Sequence, residues 1–184
     1  MKKIKTLNGP TVLTIIRIIL VLPFMIFLFQ DGVVSKIIAL ICFIVASVTD
    51  FIDGRWARKA KIVTDLGAFL DPLADKMLIN LAFLALVYLN IMPLWMFAVI
   101  LVRDFAVDGL RMMVARNGKT ISASIFGKAK TMTQMFTVAL IILNMTLNNH
   151  ILAIINQILL YIVVIITLYS GLEYFKAFNK IKLK

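Results

Sequence analysis

Thr49-Asp50-Phe51-Ile52-Asp53-Gly54-Arg55-Trp56-Ala57-Arg58, continuing to Gly67, Asp71, Pro72 and Asp75, sets four carboxylates in one short window between long apolar runs. Ionisable groups in membrane segments are costly and are functional by default. Asp50 and Asp53 are three apart and Asp71 and Asp75 four apart, so each pair shares one helix face. The basic Arg55–Leu66 segment reads as a loop returning the chain to the membrane. Two adjacent antiparallel helices would then aim four carboxylates at one volume, where unpaired they repel. Divalent cations remove that conflict, and an all-oxygen carboxylate set suits Mg²⁺ or Mn²⁺ better than Zn²⁺. Two such ions about 3.5–4 Å apart make a clamp for phosphoryl transfer. Helix capping is the plainer reading: Asp71 before Pro72 has the form of an N-cap, and Asp50 and Asp53 could pair with Arg55 or Arg58. It accounts poorly for the whole set, because carboxylates near a helix C-terminus oppose its dipole.

Small residues surround the acidic window. Gly54, Ala57 and Gly67 remove bulk where a ligand or a second helix must come close, and Arg58, one turn beyond Gly54, can hold a phosphate by its planar fork. Close helix packing and ordinary topogenic charge are the structural alternatives for these positions.

Outward from this window the chain is apolar. It has 184 residues, 62% of them hydrophobic, and a mean hydropathy of +1.00, well above soluble domains. The expectation is an all-α, polytopic membrane protein forming a single domain over residues 1–184. Six runs approach the roughly 20 residues that a spanning helix needs: Val12–Phe29, Val33–Thr49, Pro72–Asn90, Pro93–Val114, Ser124–Leu147 and Ile151–Phe178. The first is too long for a cleavable signal and reads as a retained helix. Cys42 is the only cysteine, so no intrachain disulfide forms.

The formal net charge is +11, and the basic residues sit between apolar runs, which fits anionic lipid and anionic substrates rather than nucleic acid. Lys2, Lys3, Lys5, Arg55, Arg58, Lys59, Lys61, Arg116, Lys119, Lys128, Lys130, Lys180, Lys182 and Lys184 all fall at one set of helix ends, and only Lys36 falls in the opposite loops. Both termini and the acidic window are therefore expected at the cytoplasmic face. His150, the sole histidine, lies in a short outer loop with no site around it.

The order Asp50-x-x-Asp53-Gly54-x-x-Ala57-Arg58, eight residues, Gly67, three residues, Asp71, three residues, Asp75 resembles the full signature of the CDP-alcohol phosphatidyltransferase family. The resemblance implies a six-helix CDP-alcohol phosphotransferase fold, a homodimer and two divalent metals held by Asp50, Asp53, Asp71 and Asp75. It implies a CDP headgroup bound near Asp50, Asp53, Gly54, Ala57, Arg58 and Gly67, and Asp75 as general base.

The signature names the donor and leaves the acceptor to the second half of the chain. Arg103 and Arg111 are eight apart, near two helical turns, and Lys128 and Lys130 open the next helix on the same membrane side. Together they could bind an acceptor phosphate monoester. Topogenic charge, or partnership of Arg103 with Asp104 or Asp108, is the structural alternative. The segments Arg103-Asp104-Phe105, Gly109-Leu110-Arg111, Gly127-Lys128-x-Lys130-Thr131 with Gln134, and Ser170-Gly171-x-Glu173-Tyr174-Phe175 resemble the bacterial branch whose acceptor is glycerol 3-phosphate. That resemblance implies transfer of a phosphatidyl group from CDP-diacylglycerol to glycerol 3-phosphate in the bacterial cytoplasmic membrane. Asp104 stands where glutamate is usual, Asp108 where a small hydroxyl residue is common, and Thr11 where asparagine is usual. Other acceptors (phosphatidylglycerol, inositol phosphate or serine) use the same chemistry. An ion transporter is a further alternative, though membrane carriers favour midplane sites and repeated halves.

Overall fold

Spacings of three and four residues decide which face each helix buries. The computed structural model describes the backbone of residues 9–60, 65–116, 118–119 and 125–180, and their side chains other than those of 9–11, 13 and 50–75. Among the described residues there are six helices and no strand: α1 (Gly9–Phe29), α2 (Val33–Ala60), α3 (Asp65–Tyr88), α4 (Leu94–Arg116), α5 (Ile125–Leu147) and α6 (His150–Lys180). This is the all-α, six-helix class expected from the sequence.

Two of the expected boundaries are corrected. The helix preceding the acidic window does not stop there: α2 stays helical through Arg55 and Arg58 to Ala60. Ala57-Arg58-Lys59-Ala60 are strong helix formers, and their propensity carries the helix past Gly54. The next helix starts at Asp65 and runs through Pro72, so Asp71 lies inside α3 and is not its N-cap. By length and apolarity, α6 alone among the described residues meets the measure of a spanning helix; α1, α2 and α3 carry the shorter apolar stretches Thr14–Phe29, Val33–Thr49 and Lys76–Tyr88. Large apolar side chains stand exposed on every helix described, among them Leu22, Ile41, Leu84, Val102, Phe136 and Ile165. A water-soluble chain does not present such faces on so many helices, and lipid tails cover them without penalty.

The chain divides into two compact units. Met1–Ala85 with Ala139–Asn148 form the first. Here α1 buries Thr14, Arg17, Val21, Phe24 and Leu28, a seam of alternating three and four spacing, and α2 answers with Ala39, Phe43 and Ala46. Phe24 and Phe43 meet with ring centroids 5.5 Å apart, and the two alanines let the helices approach closely. The hairpin turns at Gly32, whose φ of 105° suits glycine. Lys36 donates to the Leu28 carbonyl at 2.5 Å and so caps the end of α1.

The second unit comprises Leu86–Val138 and Asn149–Lys184. α4 and α6 pack along matched seams: Phe97, Ile100, Asp104, Val107 and Val114 face Asn156, Leu160, Val163, Thr167, Ser170 and Tyr174. Gln157 donates to the Ile91 carbonyl at 3.1 Å, Arg103 meets Ser170 and Arg111 meets Tyr174, so residue numbers rise together and the two helices are parallel. α6 starts cleanly because the Asn149 side chain accepts the Ile151 and Leu152 amides at 2.8 and 3.2 Å, an N-cap.

Candidate active site

The residues expected to bind the donor lie in the first unit. Asp50, Asp53, Gly54, Ala57 and Arg58 occupy the last third of α2, and Gly67, Asp71 and Asp75 the first half of α3. By register Asp50 and Asp53 share a face of α2, and Asp71 and Asp75 a face of α3. Their side chains, and with them the expected metal set, lie outside the described residues.

A further residue belongs to this end by register. Arg17 is 1% exposed, the bulkiest of the fully buried side chains, and Thr14 beside it is fully buried. From the Phe24–Phe43 contact, seven residues back along α1 reaches Arg17, and seven forward along antiparallel α2 reaches Asp50. A buried guanidinium requires compensation by acceptors or carboxylates. The sequence carried the signal, a lone arginine on the three-and-four seam of an apolar helix, but gave it no role.

The residues expected to bind the acceptor lie in the second unit, where polar groups take over part of the seam. Arg103 donates from one terminal nitrogen to Asp104 Oδ1 at 3.1 Å and from the other to Ser170 Oγ at 2.5 Å. Lys130 donates to the same Asp104 oxygen, so the carboxylate forms ion pairs with both cations. Asp104 and Lys130 are both buried. Arg111 donates to the Tyr174 hydroxyl. The Tyr174 ring lies against both guanidinium groups, at 5.5 Å from that of Arg103 and 4.8 Å from that of Arg111. Gly171 borders Arg103 so closely that a Cβ there would stand 3.1 Å from its Cγ.

Of the four expected anion-binding residues, the structure thus brings Arg103, Arg111 and, through Asp104, Lys130 into one network. Lys128 stands exposed in the first turn of α5. Ser170, Gly171 and Tyr174 were visible only as part of a resembling segment. Their signal is the seam spacing of α6, which carries Thr167, Ser170 and Tyr174 onto the face packed against α4. Chemically the cluster presents guanidinium forks on an aromatic platform, an arrangement suited to a small anion.

A sequence model of the family described as CDP-alcohol phosphatidyltransferase matches residues 7–169. The chain is 37% identical over 180 aligned positions to a Bacillus subtilis (strain 168) protein named CDP-diacylglycerol–glycerol-3-phosphate 3-phosphatidyltransferase, covering 91% of this chain and 93% of that one. Proteins of the same name from Rickettsia bellii (strain RML369-C) and Yersinia pestis (strain Pestoides F) are each 34% identical. They cover 94% and 93% of this chain and 96% and 94% of their own lengths.

Proposed function

The chain belongs to the CDP-alcohol phosphatidyltransferase family, and from that premise we propose that it transfers the phosphatidyl group of CDP-diacylglycerol to glycerol 3-phosphate, giving phosphatidylglycerophosphate and CMP. It is a phosphatidyltransferase of phospholipid biosynthesis with an all-α, polytopic membrane fold. The observation that carries the acceptor is the likeness, over almost the whole chain, to proteins named for that reaction. The paired Arg103 and Arg111 support it, because a phosphate monoester is the acceptor feature they suit.

In this reading the acyl chains of the donor lie in the bilayer and its headgroup at the cytoplasmic face, with both termini on that side. Asp50, Asp53, Gly54, Ala57, Arg58 and Gly67 hold the CDP moiety. The chemistry of the donor set fits hard cations: four carboxylates on two consecutive helices, with no nitrogen or sulfur ligand among them. Asp50, Asp53, Asp71 and Asp75 would hold two Mg²⁺ or Mn²⁺ ions, which when bound neutralise the diphosphate and the departing CMP. Arg58 adds its positive charge to the same end. Asp75 takes the proton from the acceptor hydroxyl. That oxygen attacks the phosphorus bearing the lipid, the bond to CMP breaks, and no protein nucleophile intervenes. Arg103 and Arg111 hold the acceptor phosphate, with Lys128 and Lys130 adding positive charge. A homodimer in the bacterial cytoplasmic membrane is the assembly the family resemblance supports.

The test is an assay of the purified protein in detergent with labelled CDP-diacylglycerol, Mg²⁺ or Mn²⁺, and a panel of acceptors. The expected product is phosphatidylglycerophosphate, formed with glycerol 3-phosphate alone. Formation of cardiolipin from phosphatidylglycerol, or of a serine or inositol lipid, with none from glycerol 3-phosphate would replace the acceptor. Chelation by EDTA should abolish turnover and added Mn²⁺ restore it; full activity in excess chelator would remove the metals from the scheme.

A further inference from the structure

Arg103 and Arg111 stand about 12 Å apart along the axis of α4, yet both guanidinium groups come against the one ring of Tyr174, at 5.5 and 4.8 Å. The electron-rich ring attracts both cations, and the Tyr174 hydroxyl fixes the Arg111 fork by accepting one of its hydrogen bonds. Asp104 supplies the counter-charge of Arg103. Ser170, one turn earlier on α6, accepts from Arg103, and Gly171 leaves room for its aliphatic stem. Tyr174 itself is 3% exposed, so its rotamer is set by packing. Among the described residues the buried Arg103 Nε has no hydrogen-bond partner, a donor held in place with capacity to spare.

We propose that Tyr174 is a positioning residue for the acceptor: its ring and hydroxyl hold Arg103 and Arg111 as a paired fork for one phosphate monoester, with Ser170 and Gly171 completing the seat on α6. This rests on the proposed use of glycerol 3-phosphate. Tyr174 does not touch the reacting atoms. It fixes in advance the two cations that the acceptor phosphate would otherwise have to gather.

Steady-state kinetics of the full-length protein in detergent, varying each substrate separately, tests this together with thermal unfolding. Tyr174→Phe keeps the ring and removes the acceptor for Arg111; the KM for glycerol 3-phosphate should rise about 3- to 10-fold. Tyr174→Leu removes ring and hydroxyl and should raise it about 50-fold or more. In both, the KM for CDP-diacylglycerol should stay within about twofold, as expected of a group confined to the acceptor side. A glycerol 3-phosphate KM unchanged in Tyr174→Phe and Tyr174→Leu, or both substrates' KM values rising in step with a fall in unfolding temperature, overturns the assignment in favour of a purely structural tyrosine. If Tyr174→Leu does not fold, Tyr174→Phe decides by the same comparison. Failure of the unsubstituted protein to use glycerol 3-phosphate at all is a separate result, and it would remove the acceptor reading on which the assignment rests.

Discussion

Asp104 is the residue on which the acceptor end turns. It is buried, and a single oxygen accepts from both Arg103 and Lys130. Removing one member of a buried ion pair leaves a charge without compensation, at a cost of about 3–5 kcal/mol. Arg103 still compensates Asp104 when Lys130 is gone, so Lys130→Met should cost less, lowering the unfolding free energy by about 1.5–3 kcal/mol, read as a drop in thermal midpoint in detergent. Lys128→Met, at an exposed position in the same helix, should change stability by less than about 0.5 kcal/mol. Equal midpoints for the two variants would show that Lys130 is held as loosely as Lys128. The same reasoning applies to Arg17, buried at the level of Asp50. Arg17→Met should cut turnover at least about 100-fold, the range expected when a charge that organises a site is lost, while Arg17→Lys keeps part of it. Wild-type turnover in Arg17→Met would detach this residue from the donor side.

At the scale of the element, the helices were legible because their apolar residues recur at three and four: Val21, Phe24 and Leu28 in α1, and Leu160, Val163 and Thr167 in α6, stand in the sequence at the spacing they keep in the fold. The end of α2 was not. Arg55, Arg58 and Lys59 read as loop because topogenic charge and helix propensity conflict there, and in the structure propensity prevails. The acidic and basic residues of the site could be picked out from charge alone in an apolar chain. Their partnerships could not, since Asp104 with Lys130 and Arg111 with Tyr174 join residues 26 and 63 positions apart, and only packing sets which of several cations a carboxylate meets. Gly171 shows the same limit: nothing local marks it, yet it is the groove for Arg103. Gly171→Ala would place a methyl 3.1 Å from Arg103 Cγ, and Arg103 is anchored beyond that point at Ser170 and Asp104. The stem must shift with its head group tethered, so the KM for glycerol 3-phosphate should rise about 3- to 10-fold, the effect of misplacing one positioning group. An unchanged KM would mean that the side chain yields freely.

For the whole molecule, the question is which face of the membrane the two residue sets occupy. The sequence predicts the Lys and Arg residues at one set of helix ends, and the exception, Lys36, is occupied in capping α1. Within the second unit α4 and α6 run parallel, so the ends carrying Arg111 and Tyr174 point the same way as the basic end of α6 at Lys176 and Lys180. α6 has 31 residues, about 46 Å of helix against roughly 30 Å of hydrocarbon, so its last turns must stand clear of the lipid tails on one side or the other. By the positive-inside rule the density of Lys and Arg predicts that this side faces the cytoplasm. Cys42 is the sole cysteine, which makes the orientation measurable: on a Cys42→Ala background, a single cysteine is placed at the exposed positions Asp31 or Lys180 and probed with a membrane-impermeant maleimide. Intact spheroplasts should label Asp31→Cys and spare Lys180→Cys, and inverted vesicles should reverse the pattern. Labelling of Lys180→Cys from outside would turn the protein over. It would also strand the acceptor cluster on the face away from soluble phosphorylated metabolites, and the choice of a soluble phosphate monoester as acceptor would fall with it.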